Sequence, residues 1–318
     1  MEKLQEQIRE KRPKLSESTL KTYSSALKTL WKKYNDGESK ELEDFEWLKD
    51  YKRVLKSMES LKDNTKKARL GTIIVALDAM GEKDKKPYIK YQDLMVKYDA
   101  EYQEFKKSNA KSEKQEKNWV SLDELKAVLK SHEAWLKEHE VFKKDVLTTA
   151  EYTRLQNWVL GNLYVGDDEN PPTRSDYTPM KVVTAKEFGE LDEKEMDEEN
   201  YLVVKSKNKK FFSLGEYKMR KKNGVIRINV GKDLNRVLNL WLRHNTSGYL
   251  LHDKNTNAMS TNSLTKNLIK VFKPTGKNIS VNMLRHIYIT EKYPVDERAE
   301  DARKMGHSVE EQGKYAKK

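Results

Sequence analysis

The sequence predicts a mainly α-helical protein with a small antiparallel sheet, an α+β arrangement in two domains. Three observations carry that expectation. Apolar residues recur at three-and-four spacing through the first hundred residues; between Met180 and Val230 the pattern changes to short β-branched and aromatic runs; and helical spacing returns after Leu234. A chain of 318 residues has the length for two ordinary domains, each with its own core.

In the first domain, Leu20, Tyr23, Leu27, Leu30, Trp31 and Tyr34 fall on one stripe of a helix that Ser16 would cap. A second helical segment covers residues 42–58, with Phe45, Trp47, Leu48, Tyr51 and Leu55, and a third covers residues 64–80, with Ile73, Ile74 and Leu77. Pro87 opens a long helix whose apolar members are Tyr88, Leu94, Met95, Tyr98, Tyr102 and Phe105. Together these form a small helical bundle. The run KKSNAKSEKQEK at residues 106–117 has Ala110 as its one apolar residue, so it reads as the end of an exposed helix leading into a linker. The predicted domains are therefore residues 1–117 and 118–318.

The second domain opens where Ser121 and Glu124 make a capping box. Helical segments continue through Leu129, Trp135 and Phe142, and again over residues 146–163. The runs MKVV, NYLVV, KKFFSL and VIRINV then read as strands, and helices return at residues 234–242, 264–272 and 281–291. The carboxylate-rich stretch at residues 188–200 is expected to be a solvated turn or insertion.

Lysine and arginine number 63 against 51 acidic residues, a formal charge of +12, and the isoelectric point is near 9.3. That surplus favours a polyanionic partner without separating DNA from RNA or an anionic membrane. The absence of cysteine excludes disulfides, thiolate metal sites and cysteine nucleophiles, and suits a reducing compartment. No apolar run approaches the roughly 20 residues that span a bilayer, and MEKLQEQIREK is too charged for a secretory signal. A soluble protein with no membrane partner is expected.

The C-terminal third holds Asn282, Leu284, Arg285 and His286, then Gly306 and His307, then Tyr315 eight residues after His307. Singly these are ordinary; their order and spacing are not. The arrangement resembles the catalytic domain of tyrosine recombinases, the phage-type integrases, which share their fold with type IB topoisomerases. The family's second arginine lies in a His-x-Leu-Arg-His motif, here Asn282 to His286, and its Gly-His pair precedes the nucleophilic tyrosine by eight or nine residues. Arg174 in PPTRSDY resembles the first arginine as it stands in integrases of large DNA viruses and related mobile elements. Tyr217, Lys218 and Met219 resemble the motif of the family's lysine, which lies on or beside a sheet hairpin. Asn282 departs from the pattern, because most recombinases have histidine there and type IB topoisomerases commonly lysine; asparagine donates a hydrogen bond but carries no charge.

The resemblance implies a helical core-binding domain ahead of the catalytic domain. It also implies duplex DNA as partner, self-association on DNA as a dimer or tetramer, and cleavage through a 3′-phosphotyrosyl link to Tyr315. Arg174 and Arg285 would meet the charge that builds on phosphorus, His307 and Asn282 would add donors, and Lys218 would protonate the leaving oxygen. No cofactor is required, neither metal nor ATP. Asp176, Asp192 and Glu195 supply carboxylates for a metal nuclease but form no ordered cluster in sequence, and Asp176 would brace Arg174. No glycine-rich nucleotide loop is present. Most family members continue past the nucleophile with a segment that docks on a neighbour. In this sequence Ala316, Lys317 and Lys318 follow Tyr315; if that tail is native, contacts between protomers are expected elsewhere, or the protein works as a relaxing enzyme. Two alternatives stay open at this point, a type IB topoisomerase-like relaxing enzyme and a DNA-binding protein of the same fold without activity.

Overall fold

Charged and apolar residues alternate at helical spacing from the start of the chain, and the first of the resulting helices is one that the sequence reading passed over. In the computed structural model, which describes residues 1–38, 40–166, 169–292 and 304–305, α1 spans Glu2–Lys11 and buries Leu4 and Ile8. The helix α2, Glu17–Tyr34, follows, with the Ser16 side chain accepting from the Thr19 amide. Leu20, Leu27 and Leu30 of its apolar stripe are buried, while Tyr23, Trp31 and Tyr34 are half-buried. The segment expected to be helical over residues 42–58 is a short 3₁₀ turn, Glu46–Lys49, followed by α3, Tyr51–Ser57, which Asp50 caps. Trp47 of that turn packs against Trp31 and Tyr34.

The long helix α4, Asp63–Ala79, is apolar on all sides from Leu70 to Leu77 and forms the centre of this unit. Burying each such aliphatic side chain contributes about 1.5–3 kcal/mol. It packs on α5, Lys86–Lys107, where Tyr91 is buried and donates its hydroxyl to the Leu48 carbonyl at 2.8 Å. Burial pushes the Tyr91 phenol well above its usual range.

The chain divides into two compact units, Met1–Ser108 and Asn109–Lys318. The division falls after Ser108, inside the run of residues 106–117 read as a linker. Residues after it are tied to the second unit: α6, Glu113–Lys117, has a capping box from Ser112 and Gln115, and the adjoining Asn118 is buried and accepts from the Asn278 amide at 2.8 Å. A polar run with caps and a distant hydrogen-bond partner folds despite its lack of apolar residues.

The second unit is organised round a buried helix. The helix α7, Leu122–Glu138, begins with the Ser121 and Glu124 capping box. Behind it α8, Thr149–Val165, is buried over most of its length, including Leu155, Trp158, Val159, Leu160 and Leu163. A Cβ at Gly161 would stand 2.4 Å from Leu129 and 3.2 Å from Val271, so glycine is what lets the neighbouring helices approach α8 closely.

The strand β1, Lys181–Thr184, leads into α9, Ala185–Glu190, and α10, Glu193–Glu198. The strands β2, Asn200–Ser206, and β3, Lys209–Leu214, form a hairpin. After α11, Arg220–Asn223, comes β4, Ile226–Asn229. Helices α12, Lys232–Leu242, α13, Thr261–Val271, and α14, Val281–Lys292, complete the described fold and pack against α8.

The sheet order is β1-β2-β3-β4, and two expectations need correction. The sheet is mixed, because β1 runs parallel to β2 while the other pairs are antiparallel. A parallel pair needs a crossover of about a dozen residues or more, and the stretch at residues 188–200, expected to be a solvated turn, supplies part of it. Two of its carboxylates cap α10, where Asp192 completes a box with Glu195. Its apolar residue Phe188 is buried with Tyr201, Val203 and Phe211 on one face of the sheet, while Leu202, Phe212, Leu214 and Ile228 enter the main core on the other.

Glu151 provides a pH test of this unit. It closes the capping box of α8 with Thr148 and pairs with Lys144 at 2.5 Å; the lysine first, then the Thr148 groups, hold its carboxyl at about 2. A depressed carboxylate stabilises the fold above its unfolded pKa, and that contribution disappears as pH falls through the folded value. Glu151→Gln keeps an amide oxygen for the box and removes the charge. Its melting temperature should lie below the parent's at neutral pH, with the gap closing between the ordinary glutamate value of 4.5 and about 2.

Candidate functional site

The connection from α8 to β1 contains PPTRSDY, and buried polar groups fix it at several points. Asn170 donates to the Asn229 carbonyl at 2.8 Å and accepts from the Gly231 amide at 2.7 Å, tying the turn to the end of β4. The Tyr164 hydroxyl donates to the Arg174 carbonyl at 2.6 Å, and the Arg174 amide donates to an Asp176 carboxylate oxygen at 3.1 Å. The expected brace between Asp176 and Arg174 thus includes a bond to its backbone. The Arg174 side chain is partly exposed.

Arg285 reaches the same turn from α14. Its relative exposure is 0%, and one guanidinium nitrogen donates to the Pro172 carbonyl at 2.8 Å across 113 residues of sequence. Burial raises the pKa of Asp176; the Arg285 charge opposes that most strongly, followed by the Arg174 amide. Burial likewise pushes the Tyr164 phenol well up, with Tyr177 and Asp176 adding to the shift and Arg285 opposing it. The fold therefore brings the Arg174 turn and the Arg285 helix together.

Lys218 is exposed and lies between β3 and β4. Three contacts shape this connection. The Gly215 amide donates to the Glu199 carbonyl at 3.0 Å, and a Cβ at Gly215 would stand 2.2 Å from the Met196 carbonyl oxygen, a backbone atom with little room to move. The Asn200 side chain bonds both backbone groups of Glu216. The Tyr217 hydroxyl donates to the Gly224 carbonyl at 2.8 Å. Lys218 thus leaves from a tethered loop, two residues beyond Glu216.

Asn282 is exposed on α14, three residues before Arg285, and His286 is half-buried. His307 and Tyr315, with Gly306, lie outside the described residues. Met305, immediately before Gly306, is buried with Tyr288 and Ile289 of α14.

Other polar groups near the sheet escaped sequence reading. Exposed Lys205, Lys207 and Lys209 flank the β2–β3 turn. Buried Lys210 donates to the Lys207 carbonyl and to the side-chain oxygens of Asn235 and Asn239, at 2.7–2.9 Å. Burial lowers its pKa. Four lysines beside a short strand read as solubilising charge; only the positions of Asn235 and Asn239 on α12 reveal that one is interior. Among the described residues no group of three or more histidines and carboxylates is placed to hold a metal ion, and no helix is long and apolar enough to cross a membrane.

No family model matches the chain, and no curated protein matches it. Among solved structures it is similar to one described as the crystal structure of XerA recombinase, at 12% identity and a TM-score of 0.36, over 99% of this chain and 93% of that one. At that score the similarity identifies neither a family nor a chemistry.

Two substitutions test the geometry. Tyr164→Phe removes the donor to the Arg174 carbonyl and should cost about 1–2 kcal/mol in denaturant unfolding. Gly215→Ala forces β3 away from the end of α10 and should cost about 1–3 kcal/mol or more, visible as a lower denaturant midpoint.

Proposed function

We propose that this protein is a site-specific DNA recombinase or integrase of the tyrosine recombinase type, resembling those of large DNA viruses and mobile elements. In this reading it cuts and rejoins duplex DNA through a 3′-phosphotyrosyl intermediate, without metal or ATP. Residues 118–318 form its catalytic domain and residues 1–117 its DNA-binding domain with linker. One observation carries the reading: the guanidinium of Arg285 is bonded to Pro172 in the turn that bears Arg174. The turn that bears one motif arginine is thus bonded by the other, which supports their acting on one phosphate.

The chemistry follows from the residue types. Attack by the Tyr315 hydroxyl forms a bond from its oxygen to phosphorus, the bond from phosphorus to the 5′ oxygen breaks, and Lys218 supplies the proton that oxygen needs. The phenolic proton leaves to water. An unperturbed phenol has a pKa of about 10, so positive neighbours must favour the phenolate as it forms. Arg174 and Arg285 serve that need and also meet the charge on the nonbridging oxygens. A guanidinium screened from solvent acts more strongly than an exposed one, because water no longer damps its field. His307 and Asn282 complete the donors. Asn282, exposed three residues before Arg285 on α14, contributes a neutral hydrogen bond where the family pattern has an ionisable group.

Binding to DNA has support in the first unit. Lys21, Lys28 and Lys32 are exposed along α2, and none forms a salt bridge with a carboxylate among the described residues. Unpaired lysines along a helix suit contacts with phosphates, which set position without reading sequence. Exchange between two DNA sites requires several protomers, so self-association on DNA is part of the proposal.

The test is incubation with a nicked suicide oligonucleotide carrying the element's own ends, in chelator, followed by a denaturing gel. The parent should form a covalent adduct and Tyr315→Phe none, while Arg174→Ala and Arg285→Ala should slow adduct formation on the order of 10²–10³-fold. Absence of an adduct on every such substrate, with binding retained, would leave a DNA-binding protein without cleavage activity. Relaxation of a supercoiled plasmid without strand exchange would point to a topoisomerase.

A further inference from the structure

Asn200 is the first residue of β2 and only 4% exposed. Its side-chain nitrogen donates to the Asp176 carbonyl at 3.0 Å and to the Glu216 carbonyl at 2.9 Å, and its oxygen accepts from the Glu216 amide at 3.0 Å. Both amide hydrogens are used, and the pairing with Glu216 imitates one rung of a strand ladder. An aspartate there could accept but not donate, and would set a carboxylate against two carbonyl oxygens; a glutamine would overshoot by a methylene. Pairing with Leu214 across the β2–β3 ladder holds the Asn200 backbone.

The two partners carry the meaning. Asp176 lies two residues after Arg174, and Glu216 lies two residues before Lys218. One side chain therefore joins the turn that bears the arginine to the loop that bears the lysine. The Gly215 amide fixes the strand exit on Glu199 and the Asp176 carboxylate braces the turn, and the Asn200 side chain is the link between the two. We propose that Asn200 is a positioning residue that sets Lys218 relative to Arg174, so that protonation of the leaving 5′ oxygen coincides with charge build-up on the phosphate. This inference rests on the cleavage reaction proposed above.

A change of leaving group tests it. In a substrate with sulfur at the bridging 5′ position, cleavage breaks a phosphorus–sulfur bond and releases a thiolate that needs no proton, so the general acid becomes dispensable. Asn200→Ala and the milder Asn200→Ser are compared with the parent and Lys218→Ala on oxygen and sulfur substrates, with thermal melting confirming that each variant folds. Misplacement of a catalytic group by about 1 Å costs on the order of a hundredfold, and a loss approaching that is expected on the oxygen substrate. On the sulfur substrate the Asn200 variants should recover to within about twofold of the parent, as should Lys218→Ala. An equal loss on both substrates, or no loss on either, overturns the positioning role while leaving cleavage by Tyr315 intact. If Lys218→Ala gains nothing from sulfur, the lysine is not the acid and the inference falls with that assignment. An absence of adduct in the parent on both substrates removes the reaction itself.

Discussion

The second unit depends on a guanidinium placed where water does not reach. Arg285 is fully buried and bonded to the Pro172 carbonyl. Moving a charge out of water costs several kcal/mol even after relaxation, and a buried charge is often replaced by apolar residues at no loss or a gain of about 1–4 kcal/mol. Packing alone therefore gives little reason for an arginine at this point in α14, between buried Leu284 and Ile287. Its presence makes sense if the charge is needed. The same charge restrains Asp176, whose pKa burial raises, so the turn, its carboxylate and the helix form one electrostatic unit.

That unit is extended by neutral hydrogen bonds rather than by ion pairs. Asn170, Tyr164 and Asn200 each satisfy buried backbone groups of the PPTRSDY turn or its neighbours. An irregular segment carries polar groups that no helix or ladder satisfies, and leaving one buried without a partner costs about 1–3 kcal/mol. Amide and phenol side chains answer that need without adding charge beside the two arginines. Lys210 follows the same logic at the β2–β3 turn, where three oxygens without formal charge receive its ammonium.

Much of the scaffold was legible in the sequence. The stripe on α2, the Ser16 cap, the box at Ser121 and Glu124, and the four strands all follow from local periodicity and capping chemistry, which short windows of sequence encode. What local reading missed has a common cause. The parallel β1–β2 pair and the burial of Phe188 depend on partners far along the chain. The site divides the same way. Motif order singled out Arg174, in the turn, Arg285, which bonds that turn from α14, and Lys218, which leaves a loop tethered to it. Nothing in the sequence marked Asn200 or Asn170, because asparagine beside a strand or before proline reads as ordinary turn chemistry. His307 and Tyr315 lie outside the described residues, and the burial of Met305 on α14 is the nearest described feature of that segment.

The proposed reaction turns on Arg174 and Arg285 meeting the charge that develops on a phosphate, and replacing the scissile phosphate by a methylphosphonate measures this most directly. That change removes one nonbridging negative charge. The account predicts that the rate ratio between the parent and Arg285→Ala, large on the phosphodiester, collapses toward unity on the methylphosphonate; because each protein is compared with itself on two substrates, differences in stability cancel. An unchanged ratio would contradict it, leaving Arg285 a structural residue of the fold.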